Sequence, residues 1–196
     1  MPVRISTETY RQAGALSNLE QDPRIELLGL HATGIESHEY VLTNRENVHW
    51  TGETSRLETR KWHGLVKNRW TTLTNIWLDR AGQETTKDSV INAIVYPNAV
   101  KTVFSLGNSE LSEQLFLPPG HDLLVVQYLS NFSDIVSIRP QFGLRKDWAA
   151  TGRDYSYTYN NASETLFVTT SAPDYQGPRY VGVRLSSGTI FYSQTR

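Results

Sequence analysis

The side chains best suited to chemistry crowd into residues 50–77, where Trp50, Trp62, Trp70 and Trp77 occur with Arg56, Arg60, Lys61, His63 and Lys67. Indole faces beside fork-like donors are how proteins hold sugar rings: the C–H face stacks, and the hydroxyls bond to Arg, Asp or Asn. Trp70 and Trp77 fall in a strand-like run and read as core. Trp50 and Trp62 flank the turn-rich stretch Thr51-Gly52-Glu53-Thr54-Ser55, which makes them the candidates for an exposed platform. Burial of both between sheets is the competing reading. With their neighbours they give a candidate sugar-binding set of Trp50, Arg60, Trp62 and His63.

Other chemistry finds less support. Glu46, Glu53, Glu58, Asp79, Glu84 and Asp88 supply carboxylates. A glycosidase needs two carboxyls at a set separation across the sugar, and for each of these the ordinary reading is a solvated charge at a turn or strand edge. His31, His38, His49, His63 and His121 are scattered. His38-Glu39 opens an H-E-x-x-H pattern, but Leu42 stands where the second His must be. Without ligand spacing, neither a metal site nor a cofactor is expected. A G-x-S-x-G elbow and a Gly-rich phosphate loop are both missing, and no catalytic residue is assigned.

Composition narrows the function classes further. Nineteen Lys and Arg against twenty Asp and Glu leave a formal net charge of −1, whereas nucleic-acid and anionic-membrane partners call for a basic excess or face. Five Trp, ten Tyr and six Phe are too many for a disordered chain. The absence of Cys excludes disulfides, thiolate metal sites and thiol catalysis. The first residues carry no apolar stretch of a signal peptide, no apolar run approaches a membrane span, and a cytoplasmic soluble protein is expected. The N-x-S sequons at Asn131 and Asn161 then read as polar turns.

The elements that must position these residues are strands. Tyr155, Tyr157 and Tyr159 alternate with Ser156 and Thr158, and Val181, Val183 and Leu185 alternate with Gly182 and Arg184. Such a period of two gives one buried and one wetted face. Residues 39–44, 70–79, 90–96, 100–106, 113–117, 123–129, 136–139 and 165–170 are further candidate strands. Turn chemistry separates them at Asp79-Arg80-Ala81-Gly82, Gly107-Asn108-Ser109, Pro118-Pro119-Gly120, Asn160-Asn161 and Ser186-Ser187-Gly188. The spacing predicts an all-β antiparallel sandwich with little helix, in a single domain over residues 1–196. Residues 25–30 read equally as strand or as part of a short helix capped at Asp22-Pro23.

Two stretches carry a family resemblance. Glu39-Tyr40-Val41-Leu42-Thr43-Asn44, followed by Glu58-Thr59-Arg60-Lys61-Trp62-His63-Gly64-Leu65-Val66, resembles the N-terminal domain of prokaryotic glycogen debranching enzymes, the amylo-alpha-1,6-glucosidase family. That family reads E-W-L-L-T-N, a Gly-Gly-aromatic turn, then T-R-K-Y-H-G-L-L-V. Glu113–Pro118 with Leu124–Tyr128, and Val136–Leu144, are similar to its later strands. The T-R-K-W-H-G-L stretch is the most specific piece. Where the family has Gly-Gly-aromatic, this chain has Arg45-Glu46-Asn47-Val48-His49-Trp50, which implies a different loop.

The resemblance implies an antiparallel supersandwich preceding an (α/α)6 barrel that hydrolyses α-1,6-glucosidic branch points. A chain of 196 residues is too short to contain that barrel. The expectation is therefore a non-catalytic module that packs on the barrel and helps to bind a glycogen-like α-glucan. A free-standing carbohydrate-binding or interaction protein is the alternative. In a regular strand, Arg60, Trp62 and Gly64 would share one face and Lys61, His63 and Leu65 the other, with Leu65 marking the buried side.

Overall fold

Alternating side chains become antiparallel strands throughout the computed structural model, which describes residues 29–33, 36–55, 63–80, 82–86, 89–132, 136–146, 155–171, 176–178 and 180–185. In β2 (Glu39–Thr43) Tyr40 and Leu42 point inward between exposed Glu39, Val41 and Thr43. In β8 (Ala99–Leu106) Val100, Thr102, Phe104 and Leu106 form the buried row, and in β9 (Ser109–Phe116) Leu111, Glu113 and Leu115 do so. Among the described residues there are fourteen strands and no α-helix. No helix among them is long and apolar enough to cross a membrane.

Three sheets result. The first runs β1 (Leu30–Thr33), β7 (Val90–Val95), β8, β9, β10 (Val125–Ser130). The second runs β11 (Val136–Lys146), β5 (Trp70–Arg80), β4 (Gly64–Lys67), β3 (Val48–Glu53), β2, with β6 (Gln83–Glu84) paired on β5. The third holds β12 (Tyr155–Asn160), β13 (Thr165–Thr170) and β14 (Val181–Val183).

The first two sheets pack face to face. Tyr40, Leu42, Trp50, Leu65, Leu73 and Ile76 of the second meet Val100 and Leu115 of the first in one buried cluster. Leu78 meets Val90, Phe104, Leu106 and Leu111 in another. Each such side chain contributes about 1.5–3 kcal/mol through removal from water. Polar ties also link the second sheet to the first sheet and to its β9–β10 connection. Arg80 Nη1 donates to the Leu106 carbonyl at 2.8 Å, and Lys67 forms an ion pair with Asp122.

Trp50 corrects the expectation of an exposed platform. It is 3% exposed and lies in the inner row between Leu42 and Leu65, its partners on β2 and β4. The stretch after it is not a turn from Thr51, because β3 continues through Glu53. Gly52 is a close-packing residue here: a Cβ would stand 2.8 Å from both Trp50 Nε1 and Tyr40 Oη. Trp70 and Trp77, read as core, are instead half-buried. The candidates Arg60 and Trp62 lie outside the described residues, as do the Asp22-Pro23 cap and the Ser186-Ser187-Gly188 turn.

The β2–β3 hairpin is organised by Asn44 rather than by glycine. Its Oδ1 accepts from the amides of Glu46 at 2.9 Å and Val48 at 3.0 Å, and its Nδ2 donates to the His121 carbonyl at 3.1 Å. Arg45 takes the positive φ of 68° that the turn demands. This turn fixes the register of β3 against β2.

Candidate functional site

The register of that hairpin pairs Glu39, the first residue of β2, directly with Glu53, the last of β3. Residues opposite one another in an antiparallel ladder project to the same face, so two carboxylates meet at one rim of the second sheet. β4 then runs back along β3 with Gly64 opposite Thr51. His63, immediately before β4, arrives beside the carboxylate pair.

Gly64 decides where His63 points. Its φ of +120° breaks the regular alternation between His63 and Leu65. Leu65 enters the core as the sequence reading requires, while the His63 imidazole turns to the glutamates. His63 Nε2 lies 3.5 Å from Glu53 Oε1 and 3.9 Å from Glu39 Oε1.

Burial grades across the cluster. Glu53 and His63 are each 4% exposed, whereas the Glu39 side chain keeps 56% of its surface in water. A buried carboxylate needs hydrogen bonds or a counter-charge. Ser37 Oγ and Ser55 Oγ both donate to Glu53 Oε2, at 2.9 and 3.2 Å. Glu53 Oε1 faces the imidazole. The neighbours of the two serines are tied to each other: Thr54 N donates to the His38 carbonyl at 3.0 Å, and His38 N donates to the Thr54 side-chain Oγ1 at 2.9 Å.

The arrangement is a half-open polar niche with a buried floor and an exposed lip. It offers carboxylate acceptors to hydroxyl groups and an N/O ligand set to a cation. Of the sequence candidates, the fold brings His63 into this niche and places Trp50 in the core. Glu53 stands in the sequence as one of six carboxylates with no catalytic spacing, and nothing in the sequence marks Ser37 or Ser55. Glu39 is the second residue of the H-E pattern and the first of the E-Y-V-L-T-N stretch, yet only the hairpin register puts it against Glu53.

Comparison of the chain with protein-family models, with curated proteins and with solved structures gives no match.

Proposed function

We propose that the chain is a non-catalytic β-sandwich module of a glycogen-debranching-type glycoside hydrolase, packing on an (α/α)6 catalytic barrel and helping to bind α-glucan. One observation carries the reading. The two stretches of the resemblance, though separated in sequence, meet at a single rim, where Glu39 of the first approaches His63 of the second to 3.9 Å. Polar side chains half-open to water suit the hydroxyl edge of a sugar, which needs acceptors as well as donors. Trp62 directly precedes His63, so an aromatic residue for stacking adjoins the niche in sequence.

Affinity electrophoresis of the 196-residue chain through a glycogen-containing gel tests this. Retardation is expected, and Trp62→Ala should weaken it while leaving the melting temperature unchanged. Migration indifferent to glycogen overturns the glucan-binding role. A large fall in melting temperature with glycogen affinity intact would make Trp62 ordinary core. Release of glucose from a branched limit dextrin by this chain, abolished by a point mutation within it, would overturn the non-catalytic assignment.

A further inference from the structure

The geometry points to a second capacity of the rim, independent of glucan binding: Glu39, Glu53 and His63 form a binding site for one divalent transition-metal cation. Their ligand atoms all lie within 4.8 Å of one another. The imidazole nitrogen stands 3.5 Å from one carboxylate oxygen and 3.9 Å from the other. Those separations are wider than an N–H···O hydrogen bond of about 2.7–3.2 Å. They approach the spacing that two ligands keep around one ion: metal bonds of about 2.0–2.2 Å at tetrahedral angles put ligand atoms about 3.4 Å apart. Closure onto an ion therefore requires sub-ångström adjustments, and the exposed Glu39 side chain is free to supply the larger one.

The electrostatics run the same way. Glu39 and Glu53 are direct cross-strand partners, and like charges at such positions repel. Burial of Glu53 removes the water that would otherwise screen them. A dication among the three relieves that repulsion. The ligands are also oriented from behind. Ser37 and Ser55 occupy Glu53 Oε2 and aim Oε1 inward, which is the role of outer hydrogen bonds around a metal-binding carboxylate.

The donor set selects the ion. One imidazole nitrogen with two carboxylates suits Zn2+ or Mn2+, whereas Ca2+ and Mg2+ take oxygen ligands. Three protein ligands leave at least one position open toward the solvent side of Glu39 for water or an incoming oxygen ligand.

Isothermal titration of the chelator-stripped 196-residue chain with Zn2+, repeated with Mn2+ and Ca2+, tests the site. One equivalent of Zn2+ or Mn2+ should bind, with Ca2+ at least tenfold weaker. Zn2+ at a hundredfold excess over its Kd should raise the melting temperature by about 5–10 °C. Glu39→Gln leaves the fold intact, because the side chain is exposed, and should weaken binding at least tenfold. His63→Gln should abolish it. The proposal is overturned if neither Zn2+ nor Mn2+ binds stoichiometrically, if Ca2+ binds as tightly, or if Glu39→Gln keeps wild-type affinity, which would assign the ion to other histidines.

Discussion

Gly64 takes φ +120°, and a Cβ there would stand 2.1 Å from the Leu73 carbonyl oxygen and 2.8 Å from Thr74 Cα. Both obstacles are backbone, so neither can swing aside. Gly64→Ala therefore combines backbone strain of about 1–3 kcal/mol with an overpacking penalty of similar size. A loss of about 3–5 kcal/mol is expected in urea unfolding. Gly107→Ala is the control: its φ is +68° but its Cβ would meet nothing within 4 Å, so the cost should stay near 1 kcal/mol. Equal losses at the two positions would show that the close approach of β4 to β5 is not what requires Gly64. Asn44 is a second such residue. It is fully buried and serves two amides and a carbonyl. Asn44→Ala leaves those groups unsatisfied, and a cost of about 2–4 kcal/mol is expected.

Between β4 and β5 the chain turns through Asn68 and Arg69, at φ of 49° and 69°. Positive φ at both central residues marks a type I′ hairpin turn, for which Asn-Gly is the favoured pair. Arg69→Gly should therefore stabilise the protein by about 0.5–1 kcal/mol, read as a rise in denaturation midpoint with an unchanged slope; a lower midpoint would mean that Arg69 contributes more than the turn costs. The element scale also shows what a sequence can disclose. Period-two alternation and Gly- or Asn-rich turns located β13 to the residue and β5 and β8 to within one, because both signals are local. β3 was hidden because Gly52 imitates a turn residue while serving as a packing gap between rings. β4 is short and buried at Gly64, Leu65 and Val66, so it carries no alternation to read. The niche was less legible than any strand. Its assembly depends on register, and a one-residue slip would carry a side chain to the opposite face. It depends also on the conformation of Gly64, which no pattern of residue types specifies.

The sandwich and the third sheet are joined differently from the two sheets of the sandwich. Those two share extensive clusters and ties near both ends of β5, from Lys67 to Asp122 of the β9–β10 connection near one and from Arg80 to the Leu106 carbonyl at the other. The link to the third sheet is narrower among the described residues. β11 pairs with β5, then slips register on either side of Phe142. Within this bulge Leu144 takes a φ of 34°. A bulge re-aims the side chains of its strand, and Leu144 is completely buried against Leu166, Val168 and Val181 of β13 and β14. The Tyr155 hydroxyl lies 3.1 Å from the carbonyl oxygens of both Phe142 and Gly143, anchoring β12 to the same bulge. One kinked strand thus serves two sheets. Leu144→Ala should cost about 2–5 kcal/mol, and the loss should be uneven. Amide exchange is expected to accelerate in β12, β13 and β14 while β8 and β9, in the middle of the first sheet, keep most of their protection. If protection falls equally in all three sheets, the third sheet unfolds only with the sandwich, and the bulge at Leu144 is part of one cooperative core rather than a hinge between two.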